Sequence, residues 1–242
     1  MNNIEVKGII FDFGGTIDTN SIHWAEVLWR YYKECKAPVE YQDFRDAYVF
    51  AERALAKYPY IQPYHNFLDL LKIKVNLELE YLLTKHIIDM DVIELQQLAI
   101  NIAEGCYGFV LDVLAVTRPI IDELSHHYPL VLVSNFYGNI ETILADFKLD
   151  SYFKSIVESS VVGVRKPDPS IYQLGVDAIG LKVDEVLVVG DSFSKDVVPA
   201  KKVGCKVVWL QGKGWGNEEI DNSLPDFIIT DFKQLSAILL EK

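Results

Sequence analysis

The 242-residue sequence predicts an α/β protein: a parallel sheet covered by helices, with an all-helical segment inserted after the first strand. Three observations predict it. Short apolar runs alternate with helical patterns from Leu114 onward, which is how the strands and crossover helices of a parallel sheet read. One apolar run, residues 6–11, stands far upstream of that alternation and is too apolar to stay outside the same sheet. Between the two, from about Ser21 to Gly108, apolar residues recur at helical spacing and no convincing strand appears. The expected division is a core of residues 1–17 and 113–242 and a helical domain of residues 18–112.

Taken in order, the first run ends in Asp12, and Gly14-Gly15 then allows a sharp turn that brings backbone N–H groups close to whatever Asp12 faces. Helices are expected over residues 22–36 and 41–58, ending before Pro38 and Pro59. A third lies within 64–85 and a fourth over about 91–105, so the inserted segment reads as a four-helix bundle with short connections. Most of its aromatic residues suit a bundle core. A helix opened by Arg118-Pro119 ends near Tyr128, and a buried strand over 130–133 ends in Ser134-Asn135. There follow a helix over about 139–147, a strand over 155–162 and a helix over 169–179. A strand over 186–189 ends in Gly190-Asp191-Ser192. A helix over about 195–203, strands over 207–210 and 227–229 and a closing helix over 232–240 complete the chain.

Composition narrows the function classes. Half of the residues are hydrophobic, enough for a sizeable core. The net charge of −12 repels phosphate backbones and anionic lipid, so neither nucleic acid nor membrane is an expected partner. A small anion can still bind where local positive charge is supplied. No apolar stretch reads as long enough to span a bilayer, and the N-terminus shows no signal-peptide pattern. Cys35, Cys106 and Cys205 fit no CxxC pattern and read as small apolar residues in a reducing compartment, so the expected location is cytoplasmic. Oligomeric state is not legible.

Parallel strands put their C-terminal ends on one edge, where open α/β sheets place ligands. Asp12, Ser134 and Asp191 all end strands and so can converge there. Singly, each has an ordinary reading as a loop or helix-start residue. With Lys166 and Asp196 they resemble, in order and position, the four motifs of the haloacid dehalogenase-like hydrolase superfamily. Asp12-Phe13-Gly14-Gly15-Thr16 is similar to the first motif, which opens on an aspartate nucleophile. Ser134 after Val131-Leu132-Val133 is similar to the second, and Lys166 in Val164-Arg165-Lys166-Pro167-Asp168 to the third. Gly190-Asp191-Ser192-Phe193-Ser194-Lys195-Asp196 is similar to the fourth.

The resemblance implies a Rossmann-like three-layer core, with residues 18–112 as a mobile helical lid, a C1 cap. It implies Mg2+-dependent hydrolysis of a small phosphorylated metabolite through an aspartyl-phosphate on Asp12. A carboxylate can attack phosphorus and divide one hard hydrolysis into two easier steps. Asp12 and Asp191 form a hard-oxygen pair suited to Mg2+, with the Gly14 carbonyl and Asp196 as further implied ligands. Lys166 and the Ser134 hydroxyl would face the phosphoryl oxygens, and N–H groups near Phe13, Gly14 and Asn135 would complete the cradle.

One position departs from the pattern. Most phosphatases of the superfamily carry a second aspartate two residues after the nucleophile, where this chain has Gly14. That aspartate protonates the leaving oxygen, and a general acid/base typically contributes about 10²–10⁴-fold. A substitute donor is one explanation, with Asp18, His23 and Glu26 just downstream and His23 the best by its ordinary pKa. A 2-haloacid dehalogenase also lacks the second aspartate, but it needs no Mg2+, and the motif from Gly190 to Asp196 is intact. A phosphonate hydrolase has a small residue there and adds a lid lysine, for which Lys33, Lys36 and Lys57 are candidates. A phospho-ligand binding or regulatory protein without turnover is the fourth. The phosphomonoester hydrolase is the expected function.

Overall fold

The structure is a computed structural model and describes residues 6–214 and 219–240; the outer ends of the expected core, 1–5 and 241–242, and residues 215–218 lie outside the described residues. Six parallel strands form one sheet: β1 (Gly8–Phe11), β2 (Leu130–Ser134), β3 (Phe153–Glu158), β4 (Val186–Gly190), β5 (Lys206–Leu210) and β6 (Phe227–Ile229). Their order is β3-β2-β1-β4-β5-β6. Sequence order runs outward from β1 in one direction and then resumes beside it in the other, which puts a topological switch point between β1 and β4.

Side-chain alternation builds the layers. Ile9, Phe11, Leu132, Leu187 and Val189 belong to one apolar core, and Ile10, Val131, Val133, Val186 and Val188 to a second on the opposite face. Successive residues of these strands are therefore buried on both faces, which is why they read as unbroken apolar runs. The second core is closed by α7 (Ser170–Ile179) and α8 (Val198–Val203), joined by Tyr172, Val176 and Ala200. Gly175 lets α7 lie flat on the sheet, since a Cβ there would stand 2.7 Å from a Val133 methyl and 2.9 Å from one of Ile10.

The inserted segment is helical as expected: α1 (Trp24–Glu34), α2 (Tyr41–Lys57), α3 (Phe67–Thr84) and α4 (Val92–Ser125). Reciprocal capping boxes start α3, through Asn66 and Asp69, and α4, through Asp91 and Glu94. The first correction concerns α4. The two helices expected over 91–105 and 118–128 are one helix of 34 residues, which runs across the expected boundary at 112/113. Gly105 is no break, because the Tyr31 ring packs against its backbone where a Cβ would stand 2.3 Å away. Pro119 also sits inside the helix, with Thr117 Oγ1 at 3.1 Å from the Ile17 carbonyl and 3.3 Å from that of Val113.

This helix corrects a second expectation as well. Among the described residues it alone is long and apolar enough to cross a membrane by length and composition, where no such stretch was expected. In the fold it packs against α1, α3 and the C-terminal helix α9 (Gln234–Leu239). Two smaller corrections lie near the sheet edge. The helix expected over 139–147 is α5 (Ile140–Asp146), and the strand expected over 155–162 ends at Glu158 and gives way to a helical turn, α6 (Ser159–Val162). The helix expected from Lys195 begins two residues earlier as a wider turn, Phe193–Val197, of the π type.

Glu78 on α3 is fully buried inside the helical segment. Its Oε2 accepts the Tyr32 hydroxyl at 3.0 Å, while its Oε1 has no hydrogen-bond partner. Burial pushes the carboxyl up from 4.5 to about 7, against the nearby Lys74 and the Tyr32 hydrogen bond. The folded chain thus keeps a proton that the unfolded chain has released between those values, so stability falls as pH rises from about 4.5 through 7. Glu78→Gln removes this loss. Its stability relative to the parent is expected to be higher at pH 8 than at pH 5 by on the order of 1–3 kcal/mol, read from urea melts at the two pH values. An equal difference at both would refute the buried-acid assignment.

Candidate active site

Asp12 follows β1 and Asp191 follows β4, so the two carboxylates flank the switch point. The Asp12 N–H donates to the Val189 carbonyl at 3.0 Å, which continues the β1–β4 ladder and fixes where the side chain emerges. Ligand atoms of Asp12, Asp191 and Asp196 all lie within 4.8 Å of one another. Lys166 Nζ stands between two of them, 2.6 Å from Asp12 Oδ1 and 2.7 Å from Asp196 Oδ1. Lys166, Asp12 and Asp196 are all buried.

Small residues permit this crowding. A Cβ on Gly190 would stand 2.5 Å from Asp196, and one on Gly15 would stand 2.5 Å from the Asp191 carboxylate. Gly15 has φ +96°, a left-handed conformation that also favours glycine. Gly14 is different: nothing lies within 4 Å of the Cβ it lacks. The wide turn at Phe193–Val197 aims Asp196 back at the sheet edge, where its Oδ2 accepts the Ser192 N–H at 2.9 Å.

Two buried carboxylates, Asp12 and Asp196, share one ammonium, and the half-buried Asp191 crowds against them without reaching it. Burial raises Asp12 to about 6, opposed by Lys166 and aided by Asp196. Burial, then the charges of Asp196 and Asp12, push Asp191 well above the ordinary carboxylate range. Burial works against the Lys166 charge, but Asp12 and Asp196 outweigh it and hold the ammonium above its usual pKa. The excess negative charge, all from hard oxygens, fits a divalent cation held by Asp12, Asp191 and Asp196.

The other expected residues divide by position. Ser134, buried at the end of β2, and Asn135 line the same cavity as Asp12 and Lys166. The Asn135 side chain clamps the Lys166 backbone, accepting its N–H at 2.9 Å and donating to its carbonyl at 3.0 Å. Phe13 packs its ring against Phe67, Phe136 and Phe147 and does not line the cavity. Asp18 lines the cavity, but its two oxygens accept the Gly15 N–H at 2.7 Å and the Trp24 indole N–H at 2.9 Å. Burial raises it to about 7. His23 caps α1, its Nδ1 accepting the Ala25 N–H at 3.2 Å, which leaves the ring proton on Nε2. Burial, with the positive charges of Lys74 and Lys195, lowers it to about 4, so it is a neutral donor near pH 7 and not an acid. Glu26 accepts the Tyr41 hydroxyl at 2.7 Å.

Several neighbours were not read from the sequence. Thr16 Oγ1 is 3.1 Å from Asp191 Oδ1 and 3.3 Å from Asp12 Oδ2, and its place in the first motif was the available signal. The Tyr172 hydroxyl donates to Asp196 Oδ1 at 2.7 Å, and the Trp209 indole to the Asp191 carbonyl at 2.8 Å. Both come from regular elements whose apolar spacing hides them. Lys74 on α3 is buried, ion-paired to Glu52 on α2, and 4.4 Å from the Tyr48 ring centre. Tyr137, beyond β2, donates to the other Glu52 oxygen at 3.1 Å, tying the helical segment to the sheet edge. Tyr48, Glu52, Lys74 and Tyr137 line the cavity opposite Asp12, which has a volume of about 1180 Å³.

Acidic groups and a buried lysine, gathered at the switch point of a Rossmann-ordered sheet, define an α/β enzyme with its site on the strand ends. The chain belongs to the haloacid dehalogenase-like hydrolases, whose family model matches residues 6–204. It is 32% identical over 93 residues to the glyceraldehyde 3-phosphate phosphatase of Pyrococcus furiosus, which covers 38% of this chain and 39% of that protein. It is 34% identical over 116 residues to the phosphoglycolate phosphatase of Photorhabdus laumondii, covering 47% and 49%. The matched segments thus span less than half of each relative. A solved dehalogenase with an intermediate complex shares the fold at a TM-score of 0.63 and 18% identity, covering 98% of this chain and 99% of that one.

Proposed function

We propose that the protein hydrolyses phosphate monoesters by way of an aspartyl-phosphate on Asp12, with residues 18–112 acting as a cap over the site. The observation that carries this reading is the buried Lys166 ammonium between Asp12 and Asp196, beside the unmatched charge of Asp191. Asp12, Asp191, Asp196 and the Gly14 carbonyl would hold Mg2+, which neutralises the repulsion between carboxylate and phosphate when bound. Asp12 supplies the nucleophilic oxygen. As its bond to phosphorus forms, the ester P–O bond breaks and the alcohol leaves as an alkoxide that takes a proton from solvent water. Water then attacks the phosphorus of the acyl phosphate, releasing phosphate and restoring the Asp12 carboxylate. Lys166, the Ser134 hydroxyl and backbone N–H groups of Phe13, Gly14 and Asn135 face the phosphoryl oxygens.

Asp18 fits a brace between the first loop and α1 better than a proton donor, because both of its oxygens already accept hydrogen bonds. Of the lysines weighed for imine chemistry, Lys33 and Lys36 do not line the cavity and Lys57 does, from the last turn of α2. The deciding experiment is a screen of phosphate esters, phosphonoacetaldehyde and 2-haloacids, with Mg2+ and with chelator. Phosphate release from esters that chelator abolishes is the expected result. Halide release in chelator, borohydride trapping of a lysine, or ligand binding without any turnover would each replace the proposal.

A further inference from the structure

We infer that the substrate carries a second anionic group at the end remote from the reacting phosphate, a deduction that rests on reading this cavity as a phosphomonoester site. The chain as a whole bears a charge of −12, yet the cavity wall contributed by α2 and α3 is rich in positive charge. Arg53 and Lys57 come from the last turns of α2 and Lys74 from α3. The core adds Arg165 beside Lys166, Lys195 beside Asp196, and Lys213. One carboxylate, Glu52, lines the α2 and α3 wall among the described residues, and it is ion-paired to Lys74. The positive field reaches its neighbours: Lys74 and Lys195 both depress His23, and both help to hold Glu52 below its usual value although burial works the other way.

Arg53, Lys57, Arg165, Lys195 and Lys213 are exposed, so water carries their charges, and with Glu52 paired to Lys74 they leave the cavity wall attractive to an incoming anion. The reacting phosphate cannot serve both ends. Its charge would be met at the switch point by Lys166 and by the cation that Asp12, Asp191 and Asp196 would hold. The size of the cavity agrees, because about 1180 Å³ is the scale of a site for a drug-sized ligand and exceeds what a two- or three-carbon phosphate fills. A carboxylate and a second phosphate share the chemistry required.

The test uses non-hydrolysable phosphonates with Mg2+, so that binding is read apart from turnover. Hexylphosphonate, 6-phosphonohexanoate, hexane-1,6-bisphosphonate and 6-aminohexylphosphonate are titrated calorimetrically into the full chain. At least one of the two doubly anionic compounds is expected to bind tenfold or more tightly than hexylphosphonate, and the amine more weakly. Which of the two gains distinguishes a carboxylate from a phosphate end. The advantage should shrink with added salt and fall at least threefold in the exposed-surface double variant Arg53→Gln/Lys57→Gln, whose affinity for hexylphosphonate is the internal reference. Equal binding of all four compounds overturns the inference, and so does an advantage that the double variant leaves intact. If the doubly anionic compounds bind preferentially but no phosphate ester is turned over, the anion subsite stands and the phosphatase reading falls.

Discussion

Asp12→Asn is expected to abolish Mg2+-dependent phosphate release, lowering kcat/KM by on the order of 10⁴-fold or more. The amide keeps the shape of the carboxylate but is a poor nucleophile and a weaker cation ligand. Lys166 would retain one of its two charge partners, Asp196 at 2.7 Å, so the lysine is not left without compensation. Burial first, and neighbouring carboxylate charge after it, raises both Asp12 and Asp191, so the substitution removes a charge that the fold holds at a cost. The thermal midpoint of the variant is therefore expected to equal or exceed that of the parent without metal. A stable variant that still turns over esters in Mg2+ would remove Asp12 from the nucleophile's place. An unfolded one would show instead that the side chain's main contribution is to the first loop, a result the midpoint reads directly.

Gly14→Asp is the second large effect, and it is a gain. The space beside Gly14 is open, with no atom within 4 Å of an added Cβ, whereas Gly15 next to it admits nothing. A carboxyl group placed there can protonate the departing alkoxide and later take a proton from water. General acid/base groups contribute about 10²–10⁴-fold in favourable geometry, so a rise of about tenfold or more with alkyl phosphates is expected. Aryl phosphates, whose leaving groups scarcely need a proton, should gain several-fold less. Steady-state kinetics on a matched alkyl and aryl pair makes the comparison. Equal gains on both would mean that the aspartate acts through charge or cation binding and that proton donation is not what Gly14 lacks.

The residues that can be read from this sequence are those whose surroundings are local. Asp12, Ser134 and Asp191 each end a run of fully buried residues, and a parallel sheet places all such ends on one edge, so their convergence follows from the chain itself. Lys166 and Asp196 join them through motif order and are held where that order implies. Lys74 is the contrary case. In Lys72-Ile73-Lys74 nothing local separates a half-buried lysine from a buried one, because the difference is made by Glu52 and Tyr48 on another helix. The unbroken α4 was hidden for the same reason. Gly105 and Pro119 are helix breakers by propensity, and only the Tyr31 ring and the packing of a long apolar face override them. His23 shows that a pKa inferred from residue type fails once burial and two lysines act on the ring.

The continuity of α4 has a mechanical side. At 1.5 Å rise per residue, Val92 stands about 40 Å along the axis from Pro119, and a bend of about 5° at the proline would carry Val92 through about 3.5 Å. The proline lacks the N–H that would stiffen that turn, and Thr117 just before it is fastened to the loop that carries Asp12. A bend at Pro119 would thus have its fulcrum beside the loop that carries Asp12 and its long arm in the helical segment, turning a small adjustment near the carboxylates into ångström-scale travel at the far end.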